Sequence, residues 1–376
     1  MNGINRTGID AQRIHRLDGH SGIPAIVLAD GCFATLKGKV AHGLVRSGDR
    51  FAVRAVVDRS LAGHDAATML DSSAFGVPIV ATVAEALGVA PDATAAVVGE
   101  APHGGRLTTR LRELLVECAT AGLDLVSGLH DHLCDDAEIA RLSKAYGCSI
   151  TDVRRTRPAS ELRFWDGSVH QARATRIAVL GTDCAIGKRT TSRMLAAELN
   201  ARGTRTEMIY TGQTGWMQGG RYGIVFDSLI SDFIAGELEG AIVSCDAEVD
   251  PDIMIIEGQG ALRNPAGPCG ATLMLSAAVS GVVLQHAPAR SHYDGLGAVS
   301  GCEIGSLASE IALIGHYGVP VTAVVVNLTD IAASDRNRVL SDCRTQCAGV
   351  PVIDVLTEGV SALADVVSGA ARCLAA

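Results

Sequence analysis

Several things this chain has little of narrow its reading first. Aromatic residues make up only 3% of its 376 residues, and Asp and Glu outnumber Lys and Arg, 41 to 32, for a net charge of −9. Surfaces that bind nucleic acid or anionic membrane in general select for excess Lys and Arg, so neither partner is expected, and any anion must be held locally. The eleven cysteines form no C-x-x-C pair, and the N-terminal MNGINRTGID lacks the apolar core of a secretory signal, so a reduced, cytoplasmic setting is expected. The longest uncharged stretch, 264–289, is broken by Pro265, Gly267, Pro268, Gly270 and Gly281. Its apolar pieces are too short to span a bilayer and read as a buried helix and strand.

What is present is 48% hydrophobic content and 42 glycines. With so few aromatics, the core must be built from Ala, Val, Leu and Ile, the filling of parallel sheets covered by helices. The length points to about two domains and the pattern to an α/β fold: two doubly wound, mostly parallel sheets, Rossmann-like in the N-terminal half and P-loop NTPase-like in the C-terminal half.

The organising stretch is Arg176–Thr191, RIAVLGTDCAIGKRTT. Ile177–Leu180 reads as a buried strand, Gly181 and Gly187 bracket a tight loop, and Lys188 opens a helix through Asn200. Such a loop turns successive backbone N–H groups inward, adds the positive end of a helix and brings a lysine to phosphate oxygens. Candidate phosphate-binding residues are therefore Gly181, Thr182, Asp183, Gly187, Lys188, Arg189, Thr190 and Thr191. Counted from Gly181, the spacing is one residue longer than G-x-x-x-x-G-K; counted from Thr182 it fits. After the lysine, where the common motif has Ser or Thr for magnesium, stands Arg189, an extra cation that suits binding better than metal-assisted transfer.

Upstream, strands are expected at 25–28, 51–57, 78–81, 95–98, 123–126 and 148–153, with helices at 66–70, 83–87, 106–121 and 137–146 between them. Asp58 and Glu100 end two of these strands, where a Rossmann-type domain places ligand contacts, yet no G-x-G-x-x-G follows the first strand and NAD is not the expected ligand. His130-Asp131-His132 invites a metal, but residues two apart on a helix do not face each other, and capping or a contact between domains is expected instead. No metal site is assigned. The N-terminal domain is placed at 1–152, an arginine-rich connection at 153–174 and the P-loop domain at 175–376.

Downstream, the strand 206–210 feeds TGQTGWMQGGRYG and Asp227, a glycine-rich run with the composition of a substrate loop. The strand 252–256 ends in Glu257-Gly258-Gln259-Gly260, where nucleotide-processing enzymes hold a metal or a base. The strand 281–284 is followed by His286, Arg290, His292 and Tyr293, candidate anion and acid–base groups. Candidate substrate contacts are Gln213, Thr214, Gly215, Arg221, Gln259, Gly260 and Arg290.

GTDCAIGKRTT, TGQTGWMQGGRYG with Asp227, and IIEGQGAL together resemble a bacterial family, formerly uncharacterised, that joins a Rossmann-like domain to a P-loop domain and is associated with D-glutamate N-acetyltransferases. The resemblance spans most of the chain. It implies an acyltransferase of D-amino-acid catabolism that takes acetyl-CoA as cosubstrate and D-glutamate, or D-aspartate, as acceptor. On that reading Lys188, Arg189 and the loop amides anchor the coenzyme's phosphates. Glu257, Asp227 or His292 deprotonates the substrate ammonium, backbone N–H groups of Gly215, Gly258 or Gly260 stabilise the oxyanion, and Arg221 and Arg290 clamp carboxylates. A more distant similarity, to dethiobiotin synthetase-like enzymes, rests on Thr182-Asp183 and Glu257-Gly258. It keeps an alternative open, an ATP- and magnesium-dependent ligase or kinase with Lys188 on the γ-phosphate, and a non-catalytic nucleotide or coenzyme sensor is the third reading. The expected partners are a small-molecule substrate and a second copy of the chain, as a homo-oligomer.

Overall fold

The structure, a computed structural model, describes residues 22–70, 76–297, 299 and 301–375. The stretch MNGINRTGID, read above for a targeting segment, lies outside the described residues. The contacts divide the chain into two units. One runs to Thr156 and includes Gln213–Gly219, and the other holds Arg157–Gly212 and the chain from Gly220 onward.

The first unit is a six-stranded parallel sheet of β1 (Ile23–Leu28), β2 (Phe51–Val57), β3 (Ile79–Val80), β4 (Ala95–Val98), β5 (Asp124–Ser127) and β6 (Ile150–Asp152), in the order β3-β2-β1-β4-β5-β6. That is the Rossmann-like order, with its reversal between β1 and β4. Alternate side chains of β1 go to opposite faces: Ile26 and Leu28 pack with Leu111, Leu114 and Leu115 of the helix Thr109–Thr120, and Ala25 and Val27 with Val40, Ala41 and Leu44 of the helix Lys39–Arg46. Just after β2, Asp58 is fully buried and both its oxygens are engaged, by the Phe33 N–H at 3.0 Å and by Ser60 through its N–H at 3.0 Å and hydroxyl at 2.6 Å. The acid at the end of the second strand, which a dinucleotide-binding domain turns to a ribose, here caps a turn. Glu100 beside it is pushed up to about 7 by burial and by the charges of Asp30 and Asp58.

The His130–His132 turn borders a cavity of about 480 Å³ lined also by Leu107, Arg112, Asp135 and Asp136. Asp131 is engaged there by the Leu107 N–H at 2.9 Å and Arg106 at 3.1 Å.

The second unit is a seven-stranded parallel sheet of β7 (Thr175–Gly181), β8 (Thr206–Tyr210), β9 (Tyr222–Gly223), β10 (Ile253–Glu257), β11 (Gly281–His286), β12 (Val321–Val326) and β13 (Val352–Ile353), ordered β13-β12-β11-β7-β10-β8-β9. The central β7 is covered on both sides. Ile177 and Val179 face Leu195 and Leu199 of the helix Lys188–Ala201, while Ala178 and Leu180 face the layer holding Leu238 and Ile242. Each such leucine contributes roughly 1.5–3 kcal/mol through burial.

Leu238 and Ile242 belong to the helix Ser231–Val249, 19 residues long, which closes on Asp250 in the left-handed region at φ 50°. Its acids take up the backbone of the segment before β7. Glu237 accepts from Arg163 N–H at 2.8 Å, Glu239 from Asp166 and Val169 N–H at 2.9 and 3.1 Å, and Asp246 from Arg173 and Ala174 N–H at 3.0 and 3.1 Å. Arg176, buried inside β7, donates through Nε and Nη1 to the carbonyls of Ala172, Ala174, Ala277 and Ala278 and so carries its charge into the sheet with hydrogen-bond partners. The uncharged stretch resolves into a helix, Gly270–Ser276, and β11. No described helix is long and apolar enough to cross a membrane.

Candidate functional site

The turn from β7 into the helix Lys188–Ala201 has the geometry of an anion cradle. Ala185 and Gly187 adopt positive φ, 50° and 109°, and such left-handed residues are what lets a loop form an anion-binding concavity. Gly187 is the helix N-cap, a left-handed position that glycine fills without penalty. Lys188 follows, buried, with Nζ donating to the carbonyls of Asp183 at 2.5 Å and Gly260 at 3.0 Å. Burial lowers its pKa, with the nearby Cys184, Asp183 and Glu257 charges pulling it back up. A Cβ at Gly258 would stand 2.2 Å from the Val179 carbonyl and 3.1 Å from the Lys188 side chain, so glycine at the end of β10 is what lets the lysine lie across it.

Side chains and one backbone N–H from outside brace the loop. Asp183, fully buried, accepts from Arg290 at 2.8 Å, from Asp294 N–H at 3.0 Å and more weakly from Asn264 at 3.4 Å. The same Arg290 donates to the Cys184 carbonyl at 2.8 Å and reaches the Ala185 carbonyl at 3.5 Å. On the β11 side, Thr182 Oγ1 lies 2.9 Å from His286 Nδ1, Thr191 donates to Gln285 at 2.7 Å, and Asn327 donates to the Ile186 carbonyl at 3.1 Å. Burial pushes His286 down to about 4, so this ring is neutral near pH 7.

At the end of β10, Glu257 is 3% exposed and accepts from Thr211 N–H at 3.1 Å, while Thr211 Oγ1 donates to the Glu257 carbonyl at 2.7 Å and accepts from Gln259 at 3.1 Å. Arg189 brings a guanidinium nitrogen to 4.0 Å from the Glu257 carboxylate. Burial raises the Glu257 pKa and lowers that of Arg189, and each charge opposes the shift of the other. Among the groups a metal-using phosphate loop needs, the hydroxyl after the lysine is replaced by Arg189, and Thr191 two positions on has its hydroxyl engaged with Gln285. The donor set does not fit a magnesium ion.

The structure therefore gathers Gly181, Thr182, Asp183, Gly187, Lys188, Arg189, Thr191, Glu257, Gln259, Gly260 and Arg290 at one sheet edge, with Thr190 exposed on the helix. The remaining candidates have other partners. Gln213, Thr214 and Gly215, all buried, form the short helix Gln213–Met217 of the first unit, where Gln218 donates to the Gly43 and Ser47 carbonyls and Arg50 lies 4.1 Å over the Trp216 ring. Arg221 pairs with Glu248 at 2.6 Å and stacks over Tyr222. Asp227 is exposed in a single 3-10 turn, Phe226–Ser228, and its charge acts on the Cys269 thiol. His292 meets Ser291 at 2.9 Å and Glu303 at 3.8 Å. Asn264, Gln285 and Asn327 are loop supports that no sequence motif singled out, and His286, expected as an anion or acid–base group, is a support as well.

Two family models match the chain. Residues 163–364 match a P-loop domain described as a domain of unknown function, DUF1611_C, and residues 59–156 match its Rossmann-like partner, DUF1611_N. Two relatives named D-glutamate N-acetyltransferase are similar to it. One, from Tritonibacter scottomollicae, is 31% identical over 274 residues, covering 72% of this chain and 79% of the relative. The other, from a Pseudoalteromonas species, is 31% identical over 271 residues, 71% of this chain and 79% of its own. The crystal structure of a DUF1611 family protein from Anabaena variabilis superposes with a TM-score of 0.83 at 29% identity, over 93% of this chain and 100% of that one.

Proposed function

The chain belongs to the DUF1611 family of a Rossmann-like domain followed by a P-loop domain, and on that premise we propose that it is an N-acetyltransferase, moving the acetyl group of acetyl-CoA to the amino group of a D-amino acid, D-glutamate in the first place and D-aspartate in the second. The two relatives named for that activity support the class of reaction. The observation that carries the reading is the make-up of the loop. It offers a helix N-terminus and two cations, the buried Lys188 and the partly buried Arg189, to an anion, while lacking the hydroxyl that phosphoryl transfer places after the lysine. Coenzyme A supplies such an anion in its pyrophosphate, held without chemistry on phosphorus.

In the reaction, the substrate ammonium loses a proton to a base, the amine nitrogen attacks the thioester carbonyl, and the C–S bond breaks as coenzyme A leaves as its thiol. The products are the N-acetyl amino acid, free coenzyme A and one proton. The long pantetheine arm sets the thioester well away from the pyrophosphate, so a base acts at some distance from Lys188. Glu257, which shares its surroundings with Lys188 and Arg189, belongs to the phosphate end, and Asp227 and His292 are the stronger candidates for the base. Arg221 is the candidate for the substrate's side-chain carboxylate, which would take over the place of Glu248.

The test is thiol release from acetyl-CoA by the purified chain across a panel of D- and L-amino acids, with and without magnesium. Release that requires a D-acidic amino acid and not magnesium is the expected result. No release with any acceptor, together with magnesium-dependent ATP consumption, would refute it.

A further inference from the structure

In a phosphate loop that uses magnesium, the hydroxyl after the lysine and an acid at the end of a neighbouring parallel strand face the ion between them. Here the first of these positions is Arg189 and the second is Glu257, on the adjacent strand β10, and their charged groups approach to 4.0 Å. The carboxylate that would balance a divalent ion is balanced by a side chain. The pair is enclosed, with Arg189 25% exposed and Glu257 4%. Arg193, one helical turn further on, adds a second cation whose field reaches both groups. Thr191, the next hydroxyl inward, is committed to Gln285 at 2.7 Å.

We propose that Arg189 stands in for the divalent ion: the loop binds the pyrophosphate of its ligand in a metal-independent way, and the metal requirement returns when this one side chain is shortened to a hydroxyl. The inference rests on the phosphate-binding part of the reading above and not on acyl transfer. It goes further in assigning a residue the work of a metal. A guanidinium suits that work because it stays charged at any physiological pH and offers paired donors to phosphate oxygens. Lysine in its place keeps the charge but not the fork.

Binding of ADP and of coenzyme A, which share a pyrophosphate, tests this by calorimetry on the full chain, once in EDTA and once in magnesium. The wild type is expected to bind both ligands with affinities that agree within about twofold between the two conditions. Arg189→Thr is expected to lose tenfold or more in EDTA and to regain most of that in magnesium, whereas Arg189→Lys weakens binding and remains indifferent to magnesium. A wild type whose affinity rises tenfold or more with magnesium overturns the proposal, whatever the folding of the variants, and so does a folded Arg189→Thr that binds as the wild type does in EDTA. Metal-independent binding with no acyl transfer to any acceptor leaves the inference standing and refutes the proposed function instead.

Discussion

Replacing Arg290 by methionine should destabilise the second unit and loosen the phosphate loop together. Among the described residues the arginine is the cation within hydrogen-bond distance of the fully buried Asp183 carboxylate, at 2.8 Å, and it also ties down the Cys184 and Ala185 carbonyls. Breaking a buried pair by removing one partner costs about 3–5 kcal/mol, since the other charge stays uncompensated. Asp183 keeps the Asp294 N–H at 3.0 Å and a long contact to Asn264, which sets the expectation at the lower end, about 3 kcal/mol. At roughly 2–4 °C per kcal/mol for a unit of this size, the melting temperature should fall by about 6–12 °C. Coenzyme affinity should fall with it, since two loop carbonyls lose their anchor. Arg290→Lys should recover part of the loss, and adding Asp183→Asn to Arg290→Met should recover at least about 1 kcal/mol, because the two residues are coupled. Thermal melts and calorimetry of the four proteins measure all of this. A methionine variant that melts within 2 °C of the wild type, with unchanged coenzyme affinity but a raised KM for the amino acid, would refute the reasoning and make Arg290 a substrate clamp.

Two other outcomes follow from the site. His286 titrates near 6.5 when unfolded and near 4 when folded, so the folded state prefers it neutral; its contribution is full above 6.5 and is lost as the pH falls toward 4. At about 1.4 kcal/mol per pH decade this amounts to up to about 3 kcal/mol, so melts between pH 7 and 4 should fall more steeply for the wild type than for His286→Asn, and parallel curves would count against it. Glu257→Gln should keep kcat within about threefold and act mainly on the KM for acetyl-CoA, whereas loss of a general base costs on the order of 10²–10⁴ in kcat, a difference that steady-state kinetics resolves.

The loop was legible in the sequence because its information is local: an apolar strand, two glycines, a lysine and a helix in sixteen consecutive residues. The sheets were legible for the same reason, as Val, Ile and Ala runs separated by turns. What was not legible depends on distance along the chain. Asp183 and Arg290 are 107 residues apart, and no spacing rule links them, so the arginine read as a free carboxylate clamp. The helix Ser231–Val249 has no counterpart among the elements expected from sequence, and its Glu239 and Asp246 are buried and accept backbone N–H groups before β7. The strand expected from the apolar run Ile177–Leu180 extends from Thr175 to Gly181 and so takes in the charge of Arg176. Four carbonyls accept from Arg176, and composition carries no trace of them. The seven residues 213–219 show the limit most plainly, since their glycines suggested a loop beside the strand they follow, while their contacts place them in the first unit.

The departure of Arg189 from the common motif bears on what chemistry the site can do. At 4.0 Å and an effective dielectric near 20, its attraction to Glu257 is about 4 kcal/mol before desolvation. A divalent ion entering between the lysine and the strand-end acid would have to displace the guanidinium from that carboxylate and then share the space with its charge. Repulsion and the lost attraction act in the same direction, and both grow as the site is closed from water by its ligand. A pyrophosphate meets the opposite situation: its negative charge is drawn to Lys188 and Arg189, and its approach raises the proton affinity of Glu257, already lifted by burial, so the acid can become neutral instead of repelling it. The same side chain that closes the loop to a metal thus opens it to a phosphate held as a handle, and the reacting bond is free to lie at the far end of the ligand.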